Sequence, residues 1–191
     1  MYGDGSVTDK VSKSVSKVAA VIELHVAGFS DLDAATLYAI LRLRSDVFVV
    51  EQDCSYSDVD GRDVEPGTRH VWLAVTDGGA ATEAEPAESL RSGDADRTNT
   101  TPHILAYLRI LDDPDGAARI GRVCVARDAR RAGHAAALMA AALDLIGAGR
   151  DTVLDAQAYA TRLYEDAGFV RDGEEFLDDG ILHVPMRRPA Q

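Results

Sequence analysis

The chain has 191 residues, 46% hydrophobic and 27% charged, which suits a folded domain with its own core and excludes a wholly disordered chain. A net charge of -12 at pH 7 lacks the basic footprint of a general nucleic-acid binder, and no apolar run reaches the roughly 18–20 residues needed to cross a bilayer. Cys54 and Cys124 stand apart from each other and from any clustered histidines, so neither a disulfide framework nor a bound metal is expected, and a reducing cytoplasm fits.

Residues 1–17 are polar and lack the apolar core of a secretory signal; they read as a flexible extension ahead of a single domain over 18–191. A first strand is predicted at 21–29. Asp31 and Asp33 offer N-cap oxygens to a helix over 34–50, with Leu37, Ile40, Leu41, Val47 and Phe48 sharing one apolar face. An extra helix or loop occupies 53–69. Strands follow at 70–76, 103–111 and 119–126, each apolar on both faces, as in the middle of a sheet. Between the first two lies 77–102, with six acids against two arginines, the composition of a disordered, solvated insertion in an enlarged hairpin connection.

A helix over 133–147 turns Leu138, Met139, Leu143, Leu145 and Ile146 inward and ends at Gly147 and Gly149. A strand at 152–158 and a short helix at 161–167, closed by Gly168, come next. The tail is a hairpin, 174–178 and 181–187, about a turn at Asp179 and Gly180. A sheet edge there could pair with a second copy in a homodimer. The order β-α-β-β-β-α-β-α-β-β implies an α/β (α+β type) fold: a mixed sheet of about six to seven strands flanked by about four helices.

Chemistry concentrates between Arg119 and Leu143. An apolar strand runs into a polar turn carrying Arg130 and Arg131, and a helix opens at Gly133. Unpaired N–H groups at a helix start, with partial positive charge, can hold a phosphate; Gly133 lets a ligand approach the backbone, and Ala135 keeps the next position small. The alternative is a solvated turn whose arginines neutralise Asp128 and Asp144. No dinucleotide or P-loop glycine pattern is present.

Arg130-Arg131-Ala132-Gly133-His134-Ala135 resembles the Arg/Gln-x-x-Gly-x-Gly/Ala acetyl-CoA motif of the GNAT N-acetyltransferases. Leu163–Phe169 (LYEDAGF) is similar to the segment after that family's fifth strand. Residues 37–53, 60–63, 68–70, 120–123, 155–158 and 178–183 look like the ElaA subgroup. The resemblance spans about 30–188, outside the 77–102 insertion. Position 131 is arginine where many relatives have glycine.

The resemblance implies a sheet that splays between the strands at 119–126 and 152–158, with acetyl-CoA in the gap. Residues Val123, Cys124 and Val125 would line the pantetheine arm, the backbone groups of Val123 and Val125 holding it and polarising the thioester carbonyl. Arg130, Arg131, Ala132, Gly133, His134, Ala135 and Ala136 would cradle the pyrophosphate. It also implies direct attack of a primary amine, small or peptidic, on the thioester, with Tyr164 beside the cofactor as general acid and no metal. A phenol, with a pKa near 10, stays protonated at pH 7 and can donate to a departing thiolate; from position alone Tyr164 could equally be a packing residue. Glu51 is the candidate base or amine binder, or else an ordinary helix-end carboxylate paired with an arginine. Arg69, Arg122, Gln157 and His183 are candidate acceptor contacts; the two arginines could instead satisfy Glu51 and Asp155. Gly121 is expected at a bulge or a close backbone approach. Two other readings stay open: a non-catalytic acyl-CoA sensor and an acidic protein-interaction domain.

Overall fold

The computed structural model describes residues 21–55, 57–76 and 101–191. The expected N-terminal extension and most of the acidic insertion lie outside them. The described strands form one eight-stranded sheet in the order β1-β2-β3-β4-β5-β8-β6, with β7 also on β8. These are β1 (Val21–Ala27), β2 (Arg69–Thr76), β3 (His103–Asp112), β4 (Ala118–Val125), β5 (Thr152–Gln157), β6 (Val170–Arg171), β7 (Phe176–Asp178) and β8 (Ile181–Arg188). All neighbours pair antiparallel except β4 and β5.

The eighth strand is β6, one more than the seven the sequence predicts. Its two residues carry no period, and only pairing with Met186 and Arg187 of β8 makes them a strand. At Met186 and Arg187 β8 also pairs with β5, and at His183 it pairs with both β5 and β7. Strands β6 and β7 therefore share one edge of β8, end to end.

Helix α1 (Ala34–Arg44) is capped as expected: Asp33 accepts from the Thr36 N–H at 2.8 Å, an arrangement worth about 1 kcal/mol. The predicted helix over 34–50 is α-helical only to Arg44; Ser45–Glu51 continues as π-type turns. The run Val47, Phe48, Val49, Val50 crowds an α-helical surface with β-branched side chains, and the wider turn relieves it. Helix α2 (His134–Ile146) ends at Gly147, whose φ of 82° closes the last turn. Helix α3 (Thr161–Asp166) is followed by Gly168 at φ 89°.

The two long helices cover opposite faces. Leu138, Met139 and Ala142 of α2 pack on Val71, Leu73, Leu108 and Ile120. Ile40, Leu43, Val47 and Phe48 from α1 and its extension pack on Trp72, Ala74, Tyr107 and Cys124. Each fully buried leucine of this kind contributes roughly 1.5–3 kcal/mol. Leu145, expected inward, is half exposed, because the inward stripe runs through Ala142 instead. Leu37 and Leu41 are only half-buried; the inward positions of α1 are Thr36, Ala39, Ile40, Leu43 and Arg44.

Candidate active site

Strands β4 and β5 touch only at their starts, where Ala118 pairs with Thr152 and Arg119 with Val153. Beyond that point they separate, and the gap opens into a cleft of about 620 Å³. Residues from β4, β5, the α1 extension, α3 and the β7–β8 hairpin line it.

Backbone direction along β4 decides what faces the gap. The Ala126 N–H donates to Leu105 O at 2.8 Å, towards β3. Because neighbouring residues of a strand point their polar groups to opposite edges, Cys124 faces β3 and both Val123 and Val125 face the gap. The Val125 carbonyl accepts from Arg130 Nε at 3.2 Å on that side. Cys124, expected among the cofactor residues, lines the cleft while its backbone pairs with Tyr107 of β3, and burial pushes its thiol up to about 12.

A bulge sits on the β3 side of β4. Tyr107 partners Cys124 while Arg109 partners Gly121, so Arg122 and Val123 together oppose Leu108. Arg122, not Gly121, takes the left-handed conformation, at φ 55°. Its guanidinium satisfies carboxylates, but not Glu51 or Asp155. Arg122 Nε lies 2.8 Å from Asp58 Oδ1, and Nη2 3.2 Å from Asp60 Oδ2.

Those carboxylates belong to a closed ring. Arg44 Nε is 2.9 Å from Asp58 Oδ2, and Arg44 Nη1 is 2.8 Å from Asp63 Oδ1. Arg109 Nη1 is 2.9 Å from Asp63 Oδ1 and 2.8 Å from Asp60 Oδ1. Three arginines and three aspartates alternate, and Arg44 is 0% exposed. Burial alone would raise the Asp60 and Asp63 carboxyls; the Arg109 hydrogen bonds on both, with Arg44 on Asp63, hold them below the ordinary carboxylate range. His70 anchors the same segment, with Nε2 donating to Asp63 O at 3.0 Å and Nδ1 accepting from the Tyr107 hydroxyl at 2.7 Å; a carbonyl only accepts, which fixes the tautomer. The ring went unseen in the sequence, although an arginine one turn from Ile40 and Val47 on the apolar face of α1 was its signal.

At the cleft mouth, α2 begins after Gly133 at φ 83°, with no side-chain cap and no acid in its first turn. A Cβ built on Gly133 would meet nothing within 4 Å. Arg131 also takes a left-handed φ of 64°, the conformation in which glycine is the strain-free choice. Arg131, Ala132 and Ala136 are exposed, His134 and Ala135 half-buried, and Ala135 lines the cleft.

Arg130 does not point freely outward. Its Nη1 and Nη2 lie 2.6 and 2.8 Å from the two oxygens of Glu51. That pairing lowers the Glu51 pKa, and an ionised carboxylate so held is a poor proton acceptor, which counts against Glu51 as the base. Next to it, Gln52 and Gln157 exchange amide hydrogen bonds of 3.2 and 3.1 Å, and the Tyr159 hydroxyl donates to Gln157 Oε1 at 2.5 Å. Neither Gln52 nor Tyr159 stood out in the sequence.

Tyr164 lines the cleft from α3, buried and edge-on to Phe169 at 6.2 Å. Burial pushes its phenol well above the usual value, and its hydroxyl has no hydrogen-bond partner among the described residues. His183 lines the β8 wall, stacked on Phe176 at 5.7 Å. Its Nδ1 is 2.9 Å from Ile181 O; since a carbonyl only accepts, Nδ1 carries the proton and the neutral ring keeps its lone pair on Nε2. Arg69 is not part of the site: it donates to Pro66 O and Thr68 O at the start of β2.

The acetyltransferase (GNAT) domain family profile matches residues 99–189. The chain is 45% identical to UPF0039 protein Rv2851c of Mycobacterium tuberculosis, over 84% of this chain and 88% of that protein. It is 32% identical to Protein ElaA of Escherichia coli, over 88% and 97%. Among solved structures, an acyl-CoA N-acyltransferase from Pseudomonas aeruginosa superposes with a TM-score of 0.70 at 33% identity, covering 88% of this chain and all of that one. Escherichia coli ElaA gives 0.69 at 30% identity, with the same coverage. With the splayed sheet and the glycine-opened helix on its cleft, the chain belongs to the GNAT acyltransferases, within the group that contains ElaA and the UPF0039 proteins.

Proposed function

We propose that the chain is an acetyl-CoA-dependent N-acetyltransferase that acetylates a primary amine by direct attack, both substrates being bound together. The observation that carries this reading is the unpaired edge of β4, which presents the Val123 and Val125 backbone to a cleft reached by the Tyr164 and His183 side chains. The residues present fit the cofactor. Gly133 leaves open space at the start of α2, where uncapped N–H groups suit a diphosphate, and a free strand edge suits an amide-bearing arm.

When bound, acetyl-CoA supplies an acyl carbon activated as a thioester, whose C–S bond breaks as the amine's N–C bond forms. The N–H groups of Val123 and Val125 hold the pantetheine arm along the strand edge, and one of them donates to the thioester carbonyl oxygen as charge builds there. His183 takes the amine proton on Nε2. Tyr164 donates a hydrogen bond to the departing sulfur; its phenolate would be a stronger base than a thiolate, so the hydroxyl stabilises the charge without giving up its proton. Glu51 holds Arg130 against Val125 O and so shapes the end of the strand edge. Gln52, Gln157 and Tyr159 border the amine's approach. No described helix is long and apolar enough to cross a membrane. A cytoplasmic location, where thiols such as those of Cys54 and Cys124 stay reduced, belongs to the same proposal.

The test is a thiol-release assay with acetyl-CoA and a panel of primary amines. Amine-dependent thiol release with matching N-acetyl product supports the reading. Binding without release would make the chain an acyl-CoA-binding module instead.

A further inference from the structure

We propose that the Arg–Asp ring beneath the cleft is a positioning device for acyl transfer, in which Asp58 and Asp60 fix Arg122 and thereby fix the β4 bulge that turns the Val123 and Val125 amides into the gap. The inference rests on the acetyltransferase reading above and adds residues to it.

Three observations lead there. Arg122 sits at φ 55° at the bulge itself, a conformation that disfavours every side chain but glycine's absence of one. It persists only where the surroundings over-determine it, and here Arg122 meets two carboxylates from one segment, at 2.8 and 3.2 Å. That segment is fixed in turn: Asp58 by Arg44 of α1, Asp60 by Arg109 of β3, and Asp63 by both. The ring thus ties the bulge to a helix and to the neighbouring strand. Buried ion pairs add little net stability over apolar packing of the same volume, so geometry is what such a ring supplies. The strand edge it controls bears on the reacting carbonyl, where misplacement of about 1 Å costs about 10²-fold in rate.

The experiment compares Arg122→Ala, Arg122→Gly and Asp60→Asn with the wild type in the thiol-release assay, with acetyl-CoA affinity from calorimetry and folding from circular dichroism. Both Arg122 variants lose the same charges, but only glycine takes a positive φ without strain. Arg122→Ala is expected to lose about 10²-fold in kcat with acetyl-CoA affinity within about threefold, and Arg122→Gly to recover about tenfold of that loss. Asp60→Asn, which keeps an oxygen acceptor, is expected to stay folded and to lose kcat without a change in the acceptor KM; it carries the test alone if Arg122→Ala does not fold. Equal kcat in the alanine and glycine variants, wild-type kcat in Asp60→Asn, or a rise in acceptor KM at constant kcat would overturn the proposal. Failure of the wild type itself to release thiol would overturn the underlying reading instead.

Discussion

Arg130 grips Glu51 through two hydrogen bonds, of 2.6 and 2.8 Å, while its Nε donates to the Val125 carbonyl on the open edge of β4. The most acidic-looking candidate base is thereby occupied in holding an arginine. Glu51→Gln is therefore expected to keep turnover within about tenfold, whereas His183→Gln should lose about 10²-fold or more, the usual worth of a general base. Steady-state kinetics on the two variants check this. The reverse ranking would make Glu51 the proton acceptor.

Tyr164 packs on Phe169, and its hydroxyl has no hydrogen-bond partner among the described residues. Tyr164→Phe should accordingly leave the melting temperature within about 2 °C, since removing an unpaired hydroxyl sacrifices no bond. It should cut kcat about 10²-fold while acetyl-CoA affinity changes less than about twofold. A parallel loss of affinity would make the tyrosine a binding residue only.

Arg44 is 0% exposed and bonded to Asp58 and Asp63. Replacing it by methionine preserves the apolar stem but strips charge from a ring that then holds three acids against two arginines. A loss of about 3–5 kcal/mol is expected from breaking such a buried pairing, or roughly 10 °C in melting temperature at this chain length. A change below about 1 kcal/mol would show that water reaches the ring freely.

Acid should weaken the fold in two stages. Burial depresses the His70 pKa in the folded state, so below about pH 6.5 the unfolded chain binds a proton that the native one refuses, and stability falls by up to about 1.4 kcal/mol per pH unit. The Asp60 and Asp63 carboxyls are likewise held low, by their arginines against the effect of burial. Their contribution is complete above the unfolded carboxylate value of about 3.9 and is lost as pH falls through their lower folded values. Urea unfolding at several pH values should show the first decline between pH 6.5 and about 5, absent in His70→Gln; a flat profile down to pH 5 would contradict the buried neutral imidazole.

How legible this was in the sequence depended on whether the determining contacts were local. The Asp33 cap, the glycines closing α2 and α3, and the turn before α2 follow from neighbouring residues, and their positions match. The switch from α to π turns at Ser45 and the exposure of Leu145 depend on what lies across the interface, which a helical period does not report. β6 exists only because β8 passes beside it. The ring joins residues up to 64 positions apart, Asp58 to Arg122, so no local pattern reveals its pairs; a buried-face arginine at 44 was the one hint. The turn before α2 was legible because Arg130–Ala136 is a single stretch of chain, two of whose residues, Arg130 and Ala135, line the candidate cleft, while Gln52, Tyr159 and the ring carboxylates come from separate segments.

Binding of acetyl-CoA at the opened strand edge is measured by titration calorimetry of the full chain. The wild type is expected to give saturable one-to-one heat, and Gly133→Val, whose side chain would fill the open space at the start of α2, at least tenfold weaker binding. No heat from the wild type, or heat unaltered by that substitution, would contradict binding there.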